Sequence, residues 1–328
     1  MPPEWAPHER TLMGWPCRRE LWGGQLEAAK RESAAAANAV AAFEPVTMVA
    51  ASPADAAEAR AAVAAAVEVV ELPIDDSWLR DSGPIFVVDD VARPTRREAV
   101  HFGFNAWGEK FTPYDKDEAI GALLAWRMGD QVHKAPLVLE GGSIAVDGAG
   151  TLLTTEQCLL HPNRNPSLAR GRIEAHLEAF LGVERVVWLN RGLVEDRDTD
   201  GHVDLIAAFT GPGAILLQSA EPGSPNHELL AENRERALAA GLEVTDFPCL
   251  AYAEVEGEQV VMSYMNSYLG DRFVVVPTAG QPDLDAEALA RLGDAYPGKE
   301  VVGVPGVVHA FGGGGPHCIT QQVPAVAR

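Results

Sequence analysis

The chain has 328 residues, 47% of them hydrophobic and 22% charged, which is enough apolar content for a sizeable core and too much for a disordered polymer. Its formal net charge of −21 disfavours nucleic acid and anionic membrane as partners and favours small cations. The four cysteines, at 17, 158, 249 and 318, form no CxxC pair, so zinc and thioredoxin-type chemistry lack support, and no apolar run is long enough for a bilayer. The opening MPPEWAPHE is not a charged-then-apolar leader, so a reducing, cytoplasmic setting is expected.

In chain order, the spacing predicts helices in LEAAKRESAAAANAVAAF, ADAAEARAAVAAA, KDEAIGALLAWRM, SLARGRIEAHLEAFL, NHELLAENRERALAAG and LDAEALARLGDAY. Between them run short β-branched segments that predict strands: PVTMVAAS, VEVVEL, PIFVVDD, SIAVD, TLLTTE, RVVWLN, AILLQ, VVMSY, RFVVVP and EVVGVP. Helices alternating with paired short strands indicate an α/β fold and argue against a β sandwich. Polar landmarks recur near positions 81, 141, 202, 266 and 316, with gaps of about 60, 61, 64 and 50 residues, which suggests five repeated supersecondary units. No low-complexity linker or charge block divides the chain, so a single domain over 1–328 is expected.

The last landmark, GGGGPHC, delivers Cys318 on backbone free to approach a ligand closely. Amides in such a turn favour a thiolate, although an inert buried thiol after a flexible loop would read the same way. In DTDGHVD, a strand through His202 and Asp204 would turn both side chains to one face, able to share a proton and hold a cation. In DDSWLRDSGP, Asp81 stands on a turn before an apolar strand, with Trp78 three residues earlier as an aromatic face for a cation. In LEGGS, Glu140 closes an apolar run with two glycines after it. No P-loop, GxGxxG, GxSxG or HExxH occurs. One thiol, one histidine and several carboxylates point to a guanidine electrophile, because carboxylates grip a guanidinium through paired hydrogen bonds.

The segments EWAPHERTLMGWP, DDSWLRDSGP, FGFNAWGEKFTPYDKD, LEGGSIAVDGAGTLLTTEQCLLHPNRNP, DTDGHVD and GGGGPHCITQQ, in that order from residue 4 to residue 322, resemble the agmatine deiminase family. The resemblance implies a five-bladed, pseudo-fivefold α/β propeller (a pentein) of ββαβ-type modules, acting as a hydrolase. It implies Cys318 as nucleophile, His202 as general acid and base, and Asp81 and Asp204 as guanidinium-binding carboxylates. It further implies a supporting or substrate-side role for Glu140 and a pocket wall for Trp78. Asp198 and Asp200 would hold the distal amine of agmatine, and Asn105 and Trp107 would shape the entrance. No metal or cofactor is implied, the only expected partner is a small cationic guanidine, and a homodimer is left open. The product would be N-carbamoylputrescine, in polyamine metabolism towards putrescine. Two departures stand out: the family commonly reads GGGNIHC where this chain has Gly315 and Pro316, and a polar residue where Leu205 follows GHVD. Alternatives are a deiminase of free arginine, peptidyl arginine or a specialised guanidine, an amidinotransferase, or a non-catalytic guanidine-binding protein. A free-arginine pocket would need a cation for the α-carboxylate, and Arg80 is the neighbouring candidate.

Overall fold

A computed structural model describes residues 1–327. All six helices expected from periodicity are present, the longest being Leu26–Ala41, Asp115–Met128 and Pro282–Ala295. Each buries a narrow stripe; Leu26–Ala41 packs Ala29, Ala36, Ala37 and Val40 inward, and its small side chains let it lie close to the strands beneath.

The strands follow one repeated plan. Ile85–Val88 pairs antiparallel with Arg97–Gly103, the helix Asp115–Met128 crosses over, and Gln131–Val138 returns parallel to Arg97–Gly103. Ile144–Val146, Thr151–Thr155 and Arg185–Leu189 repeat this order around the helix Arg170–Leu181. Ala207–Gly211, Ala214–Gln218 and Glu243–Phe247 do so around His227–Ala239, and Tyr268–Leu269, Phe273–Thr278 and Glu300–Pro305 around Pro282–Ala295. The remaining unit is stitched from both ends of the chain. Thr320–Pro324 pairs antiparallel with His8–Gly14, and after the helix Leu26–Ala41 the strand Val46–Ala50 lies parallel to His8–Gly14, with Val67–Glu71 added outside. A parallel return needs a crossover of this length, which is why a helix separates the second and third strands each time. The hairpin Leu250–Val255 with Glu258–Ser263 stands outside the plan.

This plan fixes where the site lies. Asp81 precedes the first strand of one unit, Glu140 and Gly142 that of the next, His202 and Asp204 that of the third, Asn266 that of the fourth, and Cys318 that of the unit shared by the termini. Among the described residues, no helix is long and apolar enough to cross a membrane.

Candidate active site

Three of the strand-leading segments, those of Asp81, of Gly142 and of His202 with Asp204, meet at the α-carbon of Gly142, and Asp204 links them to Cys318 of the unit shared by the termini. A Cβ on Gly142 would stand 2.6 Å from His202 Nδ1, 2.8 Å from Asp204 Oδ2 and 2.9 Å from Asp81 Oδ1. Only glycine leaves this space open. Asp81, on the short helix Leu79–Ser82, is fixed at both oxygens: Gly142 N–H donates to Oδ1 at 2.9 Å and Trp107 Nε1 donates to Oδ2 at 2.9 Å. His202 Nδ1 faces Asp81 Oδ1 at 3.9 Å, and neither ring nitrogen has a hydrogen-bond partner among the described residues. Cys318 Sγ lies 3.4 Å from Asp204 Oδ2 and receives a hydrogen bond from Asn266 Nδ2 at 3.1 Å.

All four central groups are nearly sealed from water, at 0% exposure for His202, 3% for Cys318, 4% for Asp204 and 5% for Asp81. Burial raises the Asp81 carboxyl above its usual range against the pull of His202, with Asp204 and Glu140 adding to the rise. Burial also pushes the Cys318 thiol well up, and the Asp204 and Asp81 charges push it further. Both effects favour the thiol over the thiolate, and the thiol donates towards Asp204 Oδ2. Asp204 goes the other way: burial raises it, but the hydrogen bond and charge of His317 prevail and hold it low.

The expected strand through His202 and Asp204 is not formed. His202 caps a single 3-10 turn, Val203–Leu205, and the strand begins at Ala207. The two side chains converge because of the turn, and Asp196 sets it by accepting N–H groups from Thr199, Gly201 and His202. Trp107 does not shape an entrance; it is 8% exposed, sits at φ 56 in a left-handed run with Ala106 and Gly108, and orients Asp81. Asn105 caps that run by accepting from Gly108 N–H and donating to the Asn163 carbonyl. Trp78 stacks on Trp22 at 5.4 Å and donates its indole N–H to Asp76, which fixes the ring beside Gly314 and the thiol.

The two aspartates expected at a distal amine part company. Asp200 is committed to Lys110, Asn163 and Arg164, a set of donors that holds it down at about 2 against its burial. Asp198 lines an open cavity of about 530 Å³ together with Leu205, Val260, Phe311, Gly313 and Gly314. The departure at Leu205 thus lies on the wall of that cavity. The departure at Gly315 makes room for Asn266, since a Cβ there would come within 2.7 Å of Asn266 Oδ1. Arg80, the candidate partner for an α-carboxylate, lies on the Leu79–Ser82 helix and turns inward to Glu4, Gln322 and the His317 carbonyl.

Several participants carried no assignment from sequence. Asn266 stood at a landmark without a reactive group, and Asp76 hid among neighbouring aspartates. Arg164, within HPNRNP, is buried against Glu140 and also reaches Asp200 and the Thr199 carbonyl. Glu140, Cys158 and His202 each bring a ligand atom within 4.8 Å of the others. The Arg164 guanidinium on Glu140 places a fixed positive charge at that cluster, which opposes a metal cation. Replacing Arg164 with methionine leaves Glu140 as an uncompensated buried charge, and is expected to lower stability by about 3 kcal/mol; a denaturant titration measures it.

The Porphyromonas-type peptidyl-arginine deiminase family pattern matches residues 1–324. The agmatine deiminase of Pseudomonas aeruginosa is 39% identical, with 99% of this chain and 95% of that protein aligned. The structure of the Enterococcus faecalis agmatine deiminase superposes with a TM-score of 0.92 at 33% identity, covering 100% of this chain and 96% of that one. A substrate-bound agmatine deiminase of C. jejuni gives 0.91 at 27% identity, over 99% and 96%. With its mixed α/β fold and its sequence matched almost end to end, the chain belongs to the Porphyromonas-type peptidyl-arginine deiminase family, alongside these agmatine deiminases.

Proposed function

We propose that the protein is a hydrolase that deiminates a guanidine, agmatine above all, giving N-carbamoylputrescine and ammonia through a covalent Cys318 intermediate. The observation that carries this is the convergence of Asp81, His202 and Asp204 on the open face of Gly142, next to the Cys318 thiol. Asp81 and Asp204 hold the guanidinium, and its charge offsets the two carboxylates that otherwise oppose the thiolate. The thiol proton passes to His202 and sulfur bonds to the guanidinium carbon. That carbon's bond to a terminal nitrogen breaks as His202 returns the proton, and ammonia leaves. Water then adds to the amidino carbon while His202 takes its proton, the C–S bond breaks, and the ureido product departs with Cys318 restored. Glu140, steadied by Arg164, supports His202 from behind, and Asp198 receives the distal amine. We further infer that the five strand units close into a pseudo-fivefold propeller acting as one catalytic domain over 1–328, with a small cationic guanidine as its partner.

One observation favours a second reading, a guanidine with a longer tail: the cavity beside Asp198 is roomy and has Leu205 on its wall. Ammonia release from agmatine, arginine, a peptide with C-terminal arginine and a longer guanidino-amine, with Cys318→Ala as control, tests both. Release from agmatine, lost in the control, is the expected result. Preference for the longer amine selects the second reading, and silence with every guanidine overturns both.

A further inference from the structure

A chain of contacts runs from the amino-terminal segment to the reacting thiol. Glu4 Oε1 lies 3.3 Å from Arg80 Nη1 and 2.7 Å from His317 Nε2. His317 Nδ1 lies 2.8 Å from Asp204 Oδ2, the oxygen that also meets Cys318 Sγ at 3.4 Å. His8 Nε2 bonds the Glu4 carbonyl at 2.8 Å and steadies the segment. Ionised carboxylates only accept hydrogen bonds, so a ring bonded to two of them donates from both nitrogens and is an imidazolium. The charged neighbours agree. Burial and the Arg80 guanidinium act to expel the ring's charge, yet Glu4 and Asp204 together raise His317 above its ordinary value. Glu4 in turn is held down at about 2, against its burial, by His317 and Arg80. Arg80 on Leu79–Ser82, Glu4 on the amino-terminal segment and Asp204 on the Val203–Leu205 turn are the charged groups that face the ring.

We infer that His317 is a positioning residue, pinned to the amino-terminal segment through Glu4, which fixes the aim of Asp204 beside the Cys318 thiol. The inference rests on the deiminase reading and deepens it. A buried carboxylate without a cationic partner takes up a proton, and a protonated Asp204 could not grip a guanidinium. The ring therefore supplies both direction and charge. It also makes residue 4, at the far end of the sequence, part of the same device.

The pH consequence has a definite sign. The contribution of Glu4 to stability is present above its ordinary value of 4.5 and is lost as pH falls towards about 2. That of His317 is present below its ordinary 6.5 and is lost as pH rises through its raised folded value. Glu4→Gln keeps an acceptor at Nε2 but removes the charge, so His317 should lose its proton at lower pH.

The test measures His317 ring nitrogen shifts by NMR across pH in the wild type and in Glu4→Gln, together with kcat/KM against pH for Glu4→Gln, His317→Asn and His317→Leu. A doubly protonated ring at neutral pH in the wild type is expected, titrating at lower pH in Glu4→Gln. Glu4→Gln should lose about 10- to 100-fold in kcat/KM, mainly in KM, with its alkaline limb moved to lower pH; the loss is smaller than for a fully buried direct partner because Glu4 is partly exposed and acts through His317. His317→Asn keeps an N–H towards Asp204 and should retain more activity than His317→Leu. A neutral His317 at neutral pH in the wild type overturns the inference whatever the turnover. So does a Glu4→Gln variant with a lower Tm but unchanged kcat/KM, limb and ring titration, since that marks a merely structural tie. Failure of the deiminase reading looks different: wild-type protein that releases no ammonia from any guanidine.

Discussion

Gly142→Ala is expected to bring ammonia release down to the background of Cys318→Ala while the protein stays folded. The added methyl would lie within 3 Å of His202, Asp204 and Asp81 at once, and two of those neighbours are charged groups with fixed partners. Asp81 is held at both oxygens and Asp204 by His317, so neither can retreat without giving up a buried hydrogen bond. A displacement of about 1 Å at a reacting group already costs on the order of 100-fold, and here three groups would shift together, so a loss on the order of 10³-fold or more is expected. Residue 142 has no positive φ, so alanine brings no backbone strain; circular dichroism should stay near wild type, and Tm should fall by a few degrees for the displaced buried hydrogen bond. Full activity in Gly142→Ala would mean that the reacting carbon does not sit on this face of the backbone. Gly314→Ala offers a weaker version, because its Cβ would meet the Trp78 ring at 2.7 Å and Cys318 Sγ at 2.9 Å.

The same glycine shows what the sequence made readable. The landmarks near 81, 141, 202, 266 and 316 are the residues that lead into the first strand of each unit, so their spacing is the length of one unit. The units were visible because the helices are rich in alanine and periodic, and most central strands are β-branched. The missed strands include the central but polar His8–Gly14 and Arg97–Gly103, and edge strands such as Glu243–Phe247, exposed along most of its length, and Gln131–Val138, which carries His133, Lys134 and Pro136. A single-sequence pattern cannot distinguish these from loops. The candidate reacting groups were legible because thiol, imidazole and carboxylate are chemically distinctive, and the family resemblance singled out Cys318, His202, Asp81 and Asp204 among them. Their supports were not. Nothing local marks Arg164 as the partner of Glu140, and Glu4 partners His317 across 313 residues only once the chain ends share a sheet. Asp200 shows the converse: the resemblance offered it as a ligand for a diamine's distal amine, and three donors, Lys110, Asn163 and Arg164, engage it in the structure.

Neutralising either central carboxylate is expected to move thiol reactivity and turnover in opposite directions. Asp204 and Asp81 are the charges that, after burial itself, push the Cys318 thiol up. With asparagine at either position a like charge is removed, so the thiol should ionise at lower pH and react faster with a neutral alkylating agent at pH 7. Asp204→Asn should show the larger gain, since its oxygen lies 3.4 Å from sulfur. Turnover should fall even so. Under the proposed function each aspartate is a buried, charged acceptor for the guanidinium, and loss of one partner of a desolvated charge pair costs about 2–5 kcal/mol, on the order of 30- to 4,000-fold in kcat/KM. On the proposed reading a bound guanidinium would supply the neutralising charge, so that the thiolate forms only with substrate in place. Alkylation rates at several pH values, set beside kcat/KM for Asp81→Asn and Asp204→Asn, separate the two effects. If both variants alkylate more slowly than wild type, the carboxylates are not what holds the thiol neutral. If turnover persists undiminished, they are not what holds the substrate, and the guanidinium must bind elsewhere in the protein.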